Sequence, residues 1–374
     1  MLNKKIDTKG LEKIDKNFAN TTTSEEVEWY DASKQPCEVY GVYYSDKDKD
    51  YRRYSKEVGE SVSLGYLVLS DNSTGGRVRF KTDSPFVNIK IHTRIAEGIV
   101  SGKSSLANNY GFALYSNGIY IGLATAELKD LDVENNKVDF TRQLNFANYD
   151  KATIHDCVLY MPLYGGAKRI EIGIKKGCTI TAGNKYKYQK PIAFYGSSIT
   201  QGGCASKAGN DYVNLLSQML DTDVFNFSCS GSCKAEQSAC DFLSSLDPSI
   251  YVLDYDYNAP TIKHLQDTHF NLYQTIRKAH STTPIVLVSA VNSEYMYENG
   301  VASGDKRRQV IFETYQKAIN NGDKNIYFVD GRDMFPKDKS LISLCTVDNC
   351  HPNDIGFYYM ANGLAPLLKE ILEK

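Results

Sequence analysis

Tryptophan is almost missing from this chain: Trp29 stands alone among 374 residues. No apolar run approaches the roughly 18 residues that a membrane-crossing helix needs, so no membrane association is expected. Neither sign of charge is in excess. The 43 Lys and Arg against 45 Asp and Glu leave a formal −2, with no basic footprint for nucleic acid or an anionic lipid surface. A phosphate-cradling P-loop, a dinucleotide fingerprint and His/Cys/Asp clusters at metal-ligand spacing are all lacking, so no metal and no organic cofactor is expected. Repeats, heptads and low-complexity tracts are lacking too. The opening residues, MLNKKIDTKGLEKIDKNFAN, hold no apolar core of a secretory leader. The nine cysteines are odd in number, scattered and free of any Cys-x-x-Cys pair, and they read as reduced thiols. A cytoplasmic protein is the expectation.

Tyrosine is plentiful, at 27 residues, a surplus that suits β-sheets and polar surfaces that meet sugars. The length predicts two domains, 1–187 and 188–374. The first is dominated by period two: Val62 and Leu64; Val78 and Phe80; Val87, Ile89 and Ile91; Ile170, Ile172 and Ile174. Such alternation marks strands with one buried face. Asn117-Gly118, between Phe112–Tyr115 and Ile119–Ile121, predicts a two-residue hairpin. The reading is an all-β, jelly-roll-like sandwich of eight or more short strands. Lys185–Lys190 reads as the linker.

After Pro191 the pattern changes. Apolar strands at Ile192–Tyr195, Val224–Phe227, Tyr251–Tyr255, Ile285–Ala290 and Ile326–Val329 alternate with helical patterns at Tyr212–Leu220, Ala235–Leu246, Leu265–Ala279, Arg307–Asn320 and Ile355–Leu372. Unbroken apolar strands between helices predict a parallel sheet covered on both faces, a flavodoxin-like three-layer α/β/α domain. In such sheets ligands bind beyond the strand C-termini.

One strand ends in an unusual turn. Ile192–Tyr195 runs into Gly196-Ser197-Ser198-Ile199-Thr200-Gln201-Gly202-Gly203, where small residues can hold a hydroxyl beside backbone N–H groups. A nucleophilic serine needs a base. Of the six histidines only His351, three residues after Asp348 and just before the last helical pattern, has a carboxylate placed to orient it.

Four short blocks, in order, resemble those of the SGNH (GDSL-type) hydrolases: Gly196–Thr200, Asn226–Gly231, Tyr255–Ala259 and Asp348–His351. Ser197 stands where the family has Asp, and Asp256 and Ala259 flank Asn258 where Gly and Asp are usual. The resemblance implies a triad of Ser198, His351 and Asp348, and an oxyanion hole made by Ser198, Gly231 and Asn258. In the first half, Trp29–Ala32 and Gly111–Tyr115 resemble the N-terminal domain that precedes some of these enzymes, with Ala113 in place of the motif's Asp. That domain is similar to carbohydrate-binding modules, which implies substrate contacts from Trp29, Tyr30 and Tyr115, with Tyr257 beside the oxyanion residue. The implied activity is a serine esterase removing O-acetyl groups from oligosaccharides of mannan or xylan. A short-chain acyl esterase, thioesterase or lysophospholipase, an O-acetyltransferase, and a non-catalytic sugar-binding protein are the alternatives. Homo-oligomerisation is left open.

Overall fold

The structure, a computed structural model, describes residues 25–96, 104–147 and 149–374. Two antiparallel sheets form the first half. The outer one orders Val27–Asp31, Arg169–Lys175, Phe86–Thr93, Lys137–Asn145 and Leu131–Asp132. The inner one orders Ile180–Ala182, Arg77–Thr82, His155–Tyr160, Phe112–Ser116 and Ile119–Ala124, with Glu38–Tyr40 also on Arg77–Thr82. The period-two positions meet between them: Val78, Phe80, Phe112, Leu114 and Leu159 face Ile89, Ile91, Ile170 and Ile172. Asn117 and Gly118 turn the expected hairpin, both at positive φ, 50° and 80°.

Two readings of this half need correction. Val62 and Leu64 are not strand residues. Lys56–Val62 and Leu64–Leu69 are short helices, because Ser55 and Ser63 cap them, accepting from the N–H groups of Val58 and Tyr66. Lys185–Lys190 is not a free linker. The Tyr186 ring is buried with Arg77 and Arg79 against it, and Tyr188 already begins the next strand.

The second half is a five-stranded, all-parallel sheet ordered Thr222–Asn226, Tyr188–Gly196, Ile250–Asp254, Ile285–Val288 and Ile326–Val329. Both faces are buried, as continuous apolar strands require. Ile192, Phe194, Val224, Val252 and Val286 pack with Tyr212–Leu220 and Asp354–Leu372. Tyr195, Tyr251, Leu253 and Leu287 pack with Gln237–Ser244, Ile262–Ala279 and Gly304–Asn320. Each fully buried aliphatic side chain contributes roughly 1.5–3 kcal/mol.

The halves meet through the inner sheet's other face, where alternation would have placed solvent. Fully buried Arg77 donates to Asp223 Oδ1 and to the Val224 carbonyl. Ala113, at the motif's Asp position, packs with Tyr160 and Ala208. Arg53 sends Nη1 to the carbonyl oxygen of Asn226 at 3.0 Å and Nε to that of Asn72 at 2.8 Å.

Candidate active site

Strand Tyr188–Gly196 ends where its backbone must turn sharply into a single helical turn, Ser198–Gln201. Gly196 is required there, since a Cβ would stand 2.2 Å from Thr200 Oγ1 and 2.5 Å from the Asp254 carbonyl oxygen. Ser197, in the family's Asp position, caps the turn by accepting from the Ile199 N–H at 3.2 Å. Gly202 closes it at φ 99°, a left-handed conformation that suits glycine. Ser198 is thereby held at the C-terminal edge of the sheet.

Across the same edge, Thr346 pairs with Pro352 and the Val347 N–H bonds the His351 carbonyl, closing a tight loop. Asn349 takes φ 62° at its tip, and the loop is anchored by Asn292, whose Nδ2 donates to the Asn349 carbonyl. His351 Nε2 lies 2.9 Å from Ser198 Oγ. Its Nδ1 lies 3.0 Å from Asp348 Oδ2. Asp348 Oδ1 also accepts from the backbone N–H groups of Cys350 and His351, at 3.1 and 2.7 Å, so the carboxylate is fixed before it meets the ring. The structure therefore brings Ser198, His351 and Asp348 into one hydrogen-bonded row.

Gly231 and Asn258 are brought together as well, but they bond each other. The Gly231 N–H donates to Asn258 Oδ1 at 3.1 Å, and Asn258 Nδ2 donates to the Cys229 carbonyl at 3.0 Å. An amide nitrogen carries two hydrogens, so one remains for an oxyanion. Gly231 has φ 66°, and a Cβ there would meet nothing within 4 Å.

Of the four expected substrate contacts, only Tyr257 lies at the site. It lines a cleft with Asn258 and Cys350, and its hydroxyl accepts from the Asn292 N–H. Tyr115 instead supports the loop after Ser198, accepting from Lys207 Nζ at 2.8 Å beneath its ammonium. Burial pushes the Lys207 ammonium down to about 8. Trp29 and Tyr30 sit on the edge strand of the outer sheet. Tyr30 packs against the sandwich core, so the alternating Trp29 points outward, over Gly173 and below Lys90. Both lie on the outer sheet, whereas the inner sheet's far face meets the second half.

Sequence reasoning missed three residues that shape the site from behind. Tyr164 donates to the Ser198 carbonyl at 3.2 Å. Gln201 Oε1 accepts from the Ser230 N–H, and its Nε2 donates to Asn72. Arg53 holds the strand that leads to Cys229. Burial alone would raise the Cys229 thiol, but Cys233, the Arg53 guanidinium and Tyr54 bring it down to about 6. The one available signal was Arg52-Arg53 set between Tyr51 and Tyr54, a charged pair inside an aromatic run.

Residues 189–369 match the GDSL-like lipase/acylhydrolase family, and residues 27–180 match the N-terminus of SGNH-hydrolase-type esterases. No curated protein matches the sequence. Among solved structures, one described as a GDSL-like lipase from Bacteroides ovatus superposes with a TM-score of 0.79 at 24% identity, covering 93% of this chain and 98% of that one. A salicylyl-acyltransferase from a tetracycline biosynthetic pathway gives 0.73 at 15% identity, over 92% and 97%. A family two carbohydrate esterase from Cellvibrio japonicus gives 0.52 at 13% identity, over 93% and 99%. At these identities the likeness is one of fold.

Proposed function

With residues 189–369 belonging to the GDSL-like lipase/acylhydrolase family and residues 27–180 to the N-terminal domain of SGNH-type esterases, the chain is an ester hydrolase, and we propose that it removes O-acetyl groups from oligosaccharides of mannan or xylan. The observation that carries the chemistry is the row from Ser198 Oγ through His351 to Asp348, at 2.9 and 3.0 Å.

Ser198 Oγ attacks the ester carbonyl and passes its proton to His351 Nε2. The ester C–O bond breaks, the leaving alkoxide takes that proton, and the acetyl group stays on Ser198. Water repeats the sequence and releases acetate. Asp348 holds Nδ1 protonated and offsets the imidazolium charge. The oxyanion is met by the Ser198 N–H and the second Asn258 Nδ2 hydrogen. Gly231 joins them when its N–H turns from Asn258 Oδ1 to the substrate. Each such donor is worth roughly 3 kcal/mol of barrier.

The small acyl group is supported by the small, polar loop Cys204–Asn210 beside Ser198. The sugar is supported by the two-part architecture shared with the Cellvibrio carbohydrate esterase. An intracellular setting is part of the proposal and rests on the nine cysteines, none of which is in a disulfide. Imported oligosaccharides are then the substrate.

The test is to incubate the protein with acetylated manno- and xylo-oligosaccharides and follow acetate by NMR and mass spectrometry. Release by the wild type and none by Ser198→Ala is the expected result. Hydrolysis of simple aryl esters without any release from either oligosaccharide would remove the carbohydrate reading. Acetyl transfer to an added sugar in preference to water would turn the assignment to an acyltransferase.

A further inference from the structure

Beside Asn258 opens a cleft of about 340 Å³, at the small end of the roughly 300–1,000 Å³ typical of ligand sites. One wall is the reacting centre's own: Tyr257 and Asn258 follow strand Ile250–Asp254, and Cys350 directly precedes His351. The opposite wall is a segment inserted between strand Ile285–Val288 and helix Gly304–Asn320. It carries Tyr295 and then a small hairpin, Tyr297–Glu298 against Val301–Ala302.

The insertion packs through Ala290 and Val291, but its two tyrosine rings lie outside the core. Tyr295 is 44% exposed and Tyr297 64% exposed. Yet its backbone is held. Asn299 and Gly300 adopt the positive φ values, 51° and 78°, of a tight primed turn. Buried Arg307 donates to the carbonyls of Asp256 and Ala259 and pairs with Glu298 at 3.4 Å. Glu298 also caps Ile262 N–H at 2.8 Å. Two solvent-facing rings on a pinned backbone, sharing the cleft with the side-chain amides of Asn258 and Asn292, form a preorganised surface.

The chemistry narrows the ligand. Arg307's charge is already answered by Glu298 and by carbonyls, so the cleft does not call for an anion. The amides interrupt any continuous apolar track, which disfavours a fatty chain. Tyrosine rings fit the C–H face of a pyranose, while the cleft's other amides, at Asn292 and Asn349, can bond its hydroxyls. We propose that this cleft is the subsite for the sugar ring bearing the scissile ester, with Tyr295 and Tyr297 as its stacking residues. The assignment rests on the carbohydrate-esterase reading. It moves sugar recognition from the outer sheet of the sandwich to the hydrolase half.

Both rings are exposed, so Tyr295→Ala/Tyr297→Ala should fold normally. Its kcat/KM on acetylated manno- or xylo-oligosaccharides should fall about ten- to a hundred-fold, mostly through KM. Release of acetate from vinyl acetate, which has no ring, should stay within two-fold. Unchanged oligosaccharide kinetics would overturn the proposal, as would equal losses on both esters. So would a shifted acyl-chain preference on 4-nitrophenyl esters with sugar kinetics intact, which would make the cleft an acyl pocket. Calorimetric titration of deacetylated mannotetraose and xylotetraose separates the two levels of inference. Binding to Ser198→Ala that survives the added double substitution overturns the cleft alone. No binding to Ser198→Ala by either sugar overturns the carbohydrate reading and the cleft with it.

Discussion

The Tyr164 hydroxyl donates to the backbone carbonyl of Ser198 at 3.2 Å, so a residue of the sandwich half holds the turn that carries Ser198. The Gly203 N–H shares the Ser198 carbonyl at 2.8 Å. Tyr164 thus ties the sandwich half to the turn that bears Ser198. The sandwich contributes to the catalytic centre through support from behind.

Tyr164→Phe keeps the ring and removes this tie. One neutral hydrogen bond is worth about 1 kcal/mol, and Gly203 still holds the carbonyl, so kcat should fall about five-fold with KM nearly unchanged. Steady-state kinetics on a small acetate ester and on an oligosaccharide check this. Wild-type kcat in the variant would reduce Tyr164 to a filler of space.

Asp348→Asn should leave the loop intact, because an amide oxygen can still accept from the Cys350 and His351 N–H groups. It cannot hold His351 Nδ1 in the protonated tautomer. Turnover should drop about a thousand-fold or more at unchanged melting temperature. Adding Ser198→Ala or His351→Ala should cost little beyond the single substitutions, since groups acting in one step are not additive. Multiplicative losses in the combined variants would separate the three residues functionally.

Arg53 is buried and bonds carbonyls of both halves. Arg53→Met leaves those oxygens without partners in a closed interface, a loss of about 3–5 kcal/mol. The melting temperature should fall by several degrees, and activity should fall with it as residues 226–229 shift. For the same reason residues 188–374 expressed alone should not unfold cooperatively, because Asp223 and the carbonyls of Asn226 and Ser228 lose Arg77 and Arg53. A stable, active fragment would show that the interface is dispensable.

Buried Asp256 gives a pH signature of unusual sign. Burial lifts its carboxyl from 3.8 to about 6, against the pull of the Ala290 N–H and Arg307. The folded chain therefore holds a proton there that the unfolded chain releases near pH 4. Stability linked to this group is fullest below pH 4 and is lost as pH rises to about 6. Asp256→Asn should flatten that part of the profile and raise the melting temperature at pH 7 relative to pH 4. Thermal melts across pH 4–7 test this. Parallel profiles for variant and wild type would show that Asp256 does not hold the proton.

Local pattern alone determined a good deal. Period two in Val78, Phe80, Ile170, Ile172 and Ile174 dictates sandwich strands, because successive residues must face opposite ways. Apolar runs such as Ile285–Val288 dictate a sheet buried on both faces, because no polar side chain offers itself to water. Ser198, Gly231 and Asn258 could be set beyond strand C-termini by their motifs, and His351 in the loop before the last helix. What lies opposite a face is another matter. Periodicity says that Arg77 and Tyr115 point away from the sandwich core, not that a second domain covers them. It gives Trp29 an aromatic ring but not the side of the molecule on which the ring sits. Capping serines turned Lys56–Leu69 into helices against its alternation. The 2.9 Å approach of Ser198 to His351 joins residues 153 positions apart. So do the reach of Arg53 to Asn226 and the cleft between Asn258 and Tyr297 depend on chain closure. Only the tertiary structure decides such contacts, because each is set by the packing of whole elements between them and not by any neighbouring residue.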